Sequence, residues 1–69
     1  MTQSQYEELK WKKETLEYYK NRLAQWEAEF ERSKGKGYGM ILLVQAYIDD
    51  TKTEIRKVER EIKELEENA

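Results

Sequence analysis

The chain of 69 residues contains no cysteine, no histidine and no proline. Disulfide bonds are therefore excluded, and a structural zinc site is not expected because such sites are built from cysteine and histidine. Chains this short bury a modest part of their surface and usually need a covalent staple, a metal, regular packing or assembly. Regular packing and assembly are the two means left to this chain.

The same absences remove the commonest catalytic groups, the imidazole base and the thiolate nucleophile. The acids Asp49 and Asp50 are adjacent, so on a helix they would point about 100° apart and would not form a carboxylate pair. Lys34 and Lys36 flank glycines, as in an anion cradle, but no strand precedes them and a turn is the better interpretation. We predict that the protein is not an enzyme and has no catalytic, cofactor-binding or metal-binding residues.

No charge of one sign dominates, and no long apolar segment occurs. Charged residues make up 41% of the chain, with 13 basic and 15 acidic side chains. The longest apolar run, residues 40–44, is far shorter than the roughly 20 residues of a membrane-spanning helix. The N-terminus lacks the pattern of a secretory leader. We expect a soluble protein in the cytoplasm of the producing or host cell.

The three glycines all fall between positions 35 and 39. Glycine costs about 1 kcal/mol inside a helix and often ends one, so this cluster predicts two helices joined by one turn. We predict a single domain, residues 1–69, with helices at about 4–33 and 40–67 and a turn at 34–39. Ser4 and Glu7 match a capping box for the first helix, and Thr2 is an alternative cap.

Apolar residues repeat every seven positions in both halves of the chain. In the second half the two heptad series are Ile41, Ile48, Ile55, Ile62 and Val44, Thr51, Val58, Leu65. In the first half they are Leu9, Leu16, Leu23, Phe30 and Lys12, Tyr19, Trp26. Such repeats indicate helices that pack along a narrow stripe, and a short turn forces them to run antiparallel.

The register of the two helices follows from the position of the turn. Pairing Phe30 with Val44 centres the hairpin on Gly37, and every further pair then has positions that sum to 74. The resulting layers are Trp26 with Ile48, Leu23 with Thr51, Tyr19 with Ile55, Leu16 with Val58, Lys12 with Ile62, and Leu9 with Leu65. The predicted fold is all-α, an antiparallel two-helix hairpin of the coiled-coil type.

Two helices alone would not cover all the apolar surface. Trp11 and Tyr18 lie away from the heptad stripe, and Met40, Leu42, Leu43, Ala46 and Tyr47 make the start of the second helix apolar on nearly every side. Surfaces of this kind usually mark interfaces. We predict a homodimer that forms a four-helix bundle, and our hypothesis is that the two hairpins are inverted. The candidate interface residues are Trp11, Tyr18, Leu42, Leu43 and Tyr47.

The predicted function is that of a small, non-catalytic protein-interaction module. In this interpretation the chain self-associates and binds or inhibits a larger protein that the sequence does not identify. Short, charged hairpins without cofactors are common among adaptors and among inhibitors encoded by phages and mobile elements, so we hypothesise such an origin.

The alternative is a hairpin dimer that binds nucleic acid through a basic and aromatic face of the first helix. Its candidate residues are Lys10, Lys13, Lys20 and Arg22. Glutamates are interspersed with them and would weaken attraction to phosphate, so nucleic acid is the less favoured partner.

Overall fold

The computed structural model describes residues 2–35 and 37–68, without the side chain of Tyr38. It consists of two helices, α1 (Gln3–Ser33) and α2 (Tyr38–Glu67), which pack against each other as a hairpin. The molecule measures 51 × 14 × 12 Å. Its length is close to that of a single helix, as expected for two helices that lie side by side. The predicted all-helical hairpin is therefore confirmed, and the described residues include no strand.

Helix α1 begins one residue earlier than predicted because Thr2, the alternative cap, forms the capping box. The Thr2 hydroxyl accepts a hydrogen bond from the Gln5 backbone N–H at 3.1 Å. In return the Gln5 side-chain oxygen accepts one from the Thr2 backbone N–H at 2.9 Å. Glutamine at the third helical position satisfies this reciprocal pattern as well as glutamate would. Ser4, the predicted cap, lies inside the first turn.

The reversal of the chain is shorter than the glycine cluster suggests. Lys34 caps α1 and Gly37 precedes α2, whereas Gly39 already lies within the first turn of α2. Gly37 has φ +111°, a conformation that other residues rarely adopt. Helix α2 therefore starts at Tyr38, two residues before the predicted position 40. Lys36 lies outside the described residues.

Most of the buried apolar residues belong to α2. The buried set is Leu9, Val44, Ile48, Ile55, Val58 and Ile62. Leu16, Tyr19 and Leu65 are partly buried against the Leu9–Val58–Ile62 cluster near the tip of the hairpin that lies away from the turn. The β-branched stripe of α2 is thus enclosed by the larger side chains of α1. These larger side chains remain partly exposed because they extend around the edge of the two-helix contact.

Contacts between the helices agree with the register predicted from the turn. Lys12 Nζ lies 2.6 Å from a carboxylate oxygen of Glu61, beside the predicted partner Ile62. The Trp26 ring stacks on Tyr47, beside its predicted partner Ile48. Neither described helix has an apolar segment of the length needed to cross a membrane.

Candidate interaction surface

Among the side chains that the structure describes, seven large apolar or aromatic ones are exposed, with exposed fractions from 43% for Tyr47 to 61% for Trp11. All five residues predicted as interface candidates are among them. The full set is Tyr6, Trp11, Tyr18, Met40, Leu42, Leu43 and Tyr47.

Most of these side chains lie on one side of the hairpin, which we call the aromatic side. On α1, residues seven or eight apart share a face, and on α2 so do residues three, four or seven apart. The stacked Trp26 and Tyr47 rings connect the two helices on this side. The aromatic side comprises Trp11, Tyr18, Tyr19 and Trp26 of α1 and Met40, Leu43 and Tyr47 of α2.

The end of the aromatic side near the turn contains a stack of two rings. The centroids of Trp26 and Tyr47 are 4.5 Å apart with an angle of 16° between the ring planes. The Arg22 guanidinium carbon lies 5.5 Å from the Trp26 ring centroid. Tyr47 therefore packs against its own chain, a contact that was not predicted when Tyr47 was selected as an interface candidate. The stack is formed within the hairpin and presents a partly exposed apolar surface.

The other end of the aromatic side contains Trp11 above a shallow groove. Trp11, Thr15 and Tyr19 form one wall of this groove. Glu54, Lys57 and Val58 of α2 line the opposite wall. Tyr18 lies edge-on to Tyr19, with ring centroids 5.5 Å apart, at the outer margin. The groove thus contains the apolar ring of Trp11, the acidic side chain of Glu54 and the basic side chain of Lys57.

Leu42 does not belong to the aromatic side. Adjacent helical residues point about 100° apart, so Leu42 and Leu43 face different directions although they are exposed to the same degree. The structure therefore brings together four of the five predicted interface residues and separates Leu42 from them.

Tyr6 is an exposed aromatic residue that was not among the predicted interface candidates. It lies with Leu9, Lys10 and Lys13 along a second groove, away from the aromatic side. Tyr6 lies three residues before Leu9, and this spacing places it beside the buried stripe. The spacing is the sequence feature that could have identified Tyr6 as an exposed apolar residue next to the contact. Tyr6 was not selected because it falls within residues 4–7, which were interpreted as a capping box starting at Ser4.

The predicted basic face is divided between two sides of α1. Lys10 and Lys13 line the groove of Tyr6, and Lys13 pairs with Glu66 at 3.7 Å. Arg22 lies nine residues after Lys13, which is two and a half helical turns, and it contacts Trp26 on the aromatic side. Lys10 and Lys13 therefore do not share one surface with Arg22.

One ion pair joins the helices close to the buried stripe. Lys12 occupies a heptad position, and its side chain is 15% exposed. It donates a hydrogen bond to Glu61, and this bond is the main reason why the pKa of the Glu61 carboxyl lies below its ordinary value. Glu8, at 4.0 Å, is a weaker second partner for Lys12. The pair allows a lysine to occupy the apolar stripe, because the stem packs and the charge is neutralised at the edge.

The total exposed surface is large for the size of the chain. It amounts to 5303 Å² for 8.4 kDa. Monomeric proteins of this mass expose about 4,600 Å². The difference, about 700 Å², is close to the roughly 800 Å² that each partner buries in an interface of standard size.

No protein-family model matches this chain, and comparisons with curated proteins and with solved structures also find no significant match.

Proposed function

We propose that the chain is a non-catalytic protein-interaction module that pairs with a second copy of itself and then binds or inhibits a larger protein. The observation that carries this proposal is the aromatic side, where Trp11 and Leu43 are more than half exposed on a folded hairpin. Full burial of such a side chain is worth about 1.5–3 kcal/mol, and roughly half of this is still available to a partner because the hairpin leaves about half of each side chain exposed.

The composition of the aromatic side supports this proposal. Tryptophan, tyrosine, methionine and arginine are enriched at interfaces, and tryptophan, tyrosine and arginine dominate the residues that contribute most to binding. Two tryptophans, with Arg22 against one of them, lie on this side together with Met40. Two hairpins that face each other through it would form a four-helix bundle.

The apolar residues outside the aromatic side are the proposed contacts for the larger protein. Leu42 and Tyr6 point away from the aromatic side and would stay exposed in the dimer. They lie near opposite ends of the rod, so a partner that contacts both would lie along the length of the bundle.

Sedimentation equilibrium on the purified chain at micromolar concentration tests the self-association. We expect a dimer for the parent chain and a folded monomer for Tyr18→Glu, because a carboxylate would then replace an aromatic ring within the interface. Tyr6→Glu is the matched control, since this tyrosine is about equally exposed but lies away from the aromatic side. It should remain dimeric. A parent chain that is monomeric at every concentration would refute the proposed self-association.

A further inference from the structure

We infer that the second copy docks on the aromatic side in the inverted orientation, so that Trp11 of one hairpin packs against the Trp26–Tyr47 stack of the other. This inference rests on the proposed self-association and adds the arrangement of the two chains. In such a dimer α1 lies beside the partner's α1, and α2 lies beside the partner's α2.

The spacing of the apolar groups on the aromatic side supports inversion. Trp11 and Trp26 are fifteen residues apart, which is about 22 Å along the helix. A two-fold axis midway between them, at the level of Tyr18 and Tyr19, places each tryptophan opposite the other tryptophan of the partner. Both α1 helices then overlap along almost their whole length, because Gln3–Ser33 is nearly symmetric about this level. The contact is self-complementary, as a two-fold interface requires.

The charged residues of the groove, Glu54 and Lys57, are also arranged symmetrically about this two-fold axis. In the register of the hairpin, the level between Tyr18 and Tyr19 corresponds on α2 to the level between Ile55 and Arg56. Glu54 and Lys57 lie at equal distances on either side of it, and both line the groove of Trp11. The axis therefore sets Glu54 beside the partner's Lys57 and Lys57 beside the partner's Glu54. Two opposite-charge pairs form near the centre of the interface.

The parallel orientation, with both turns at one end, is less favourable for Trp11. It would place α1 beside the partner's α2, with Trp11 at the level of residue 63. The segment 59–67 around that level contains seven charged residues among nine. Trp11 would then be covered by charged side chains, and the Trp26–Tyr47 stack would meet its own copy instead.

Distance measurements between spin labels distinguish the two orientations, and the absence of native cysteine makes single labels specific. A label at Gln3→Cys lies at the tip of the rod remote from the turn. In the inverted dimer the two labels should be about 45 Å apart, which is the length of α1. In the parallel dimer they should be within about 25 Å, since neighbouring helix axes are about 10 Å apart. Lys20→Cys, near the middle of the rod, is the control and should give similar distances in both cases.

A charge exchange between two variants tests the contact of Glu54 with Lys57. In Glu54→Lys, like charges meet twice across the axis, and the same is true in Lys57→Glu. We expect each variant alone to dimerise about tenfold more weakly than the parent. An equimolar mixture should form heterodimers of near-parental affinity, because every pair across the axis is then attractive. Repulsion within one helix would not be relieved by mixing, so a mixture no tighter than the separate variants would overturn the inference.

These outcomes separate the arrangement from the proposed function. A dimer with a short Gln3→Cys distance would refute the inverted orientation and leave self-association intact. A chain that stays monomeric in sedimentation equilibrium would refute both. A dimer with a long distance and rescue in the mixture would establish the arrangement.

Discussion

The three glycines, which look equivalent in the sequence, have different roles in the structure. Gly37 has a positive φ, whereas Gly39 is an ordinary helical residue in the first turn of α2. A Cβ added at either position would meet no atom within 4 Å, so the backbone conformation alone decides the effect of a substitution.

We predict opposite effects of alanine at these two glycines. Gly39→Ala should stabilise the hairpin by about 0.5–1 kcal/mol, because alanine favours the helix and restricts the unfolded chain. Gly37→Ala should destabilise it by about 1 kcal/mol or more, because alanine is strained at this φ. The free energy of unfolding from urea titrations measures both. If the two substitutions had the same sign, the assigned start of α2 would be wrong.

The Lys12–Glu61 pair links the stability of the hairpin to pH. The pKa of Glu61 is lowered in the folded chain and returns to about 4.3 on unfolding. Between the lower pKa of the folded state and about pH 4.3, the folded state therefore binds fewer protons than the unfolded state. The stabilising contribution is complete above about pH 4.3 and is lost as the pH falls through the lower pKa of the folded state.

We predict that Glu61→Gln removes this contribution. The stability of the variant should fall less steeply than that of the parent as the pH falls below about 4.3, the ordinary pKa of a glutamate. Glu59→Gln, which keeps the Lys12–Glu61 bond, is the control and should retain the parental slope. Urea titrations at several pH values measure the difference. Equal slopes for the parent and Glu61→Gln would show that the ion pair does not form in solution.

At the scale of the helices, the sequence was sufficient to predict which residues of α1 and α2 lie side by side. It was not sufficient to predict the side-chain contacts at the margin of the helix–helix interface. Heptad spacing identified the buried stripe of α2, and the turn identified the register, because both depend on regular helical geometry. The Trp26–Tyr47 stack was not predicted, because it depends on side-chain rotamers at the margin of the stripe. The choice of Thr2 over Ser4 as the cap was also left open, because both positions satisfy the same local rule.

Alanine substitutions should distinguish the buried stripe from the aromatic side. Ile48→Ala should cost about 2–4 kcal/mol at any protein concentration, because it leaves a cavity between the helices. Tyr18→Ala should change the stability of the monomer by no more than about 0.5 kcal/mol, because this side chain is more than half exposed. It should, however, weaken the rise of the melting temperature with protein concentration that a dimer shows. Thermal melts over a hundredfold range of concentration measure both effects, and a concentration-independent loss in Tyr18→Ala would contradict this division.

At the scale of the whole molecule, the hairpin is thin. Two helices form a single contact, so every residue that is not on the contact lies at the surface. Among the residues that the structure describes, only six apolar side chains are buried. Self-association could therefore be proposed from composition and length alone. The composition could not indicate which side is the candidate surface, because that depends on where the tryptophans lie relative to the buried stripe.

The single turn at the middle of the chain also determines the order in which contacts can form during folding. Trp26 and Tyr47 close a short loop, whereas Lys12 and Glu61 are 49 positions apart. Closing the longer loop first costs more chain entropy, so contacts should form from the turn outwards, as in a zipper. Stopped-flow kinetics should then show that Gly37→Ala mainly slows folding, while Ile62→Val near the open tip mainly speeds unfolding.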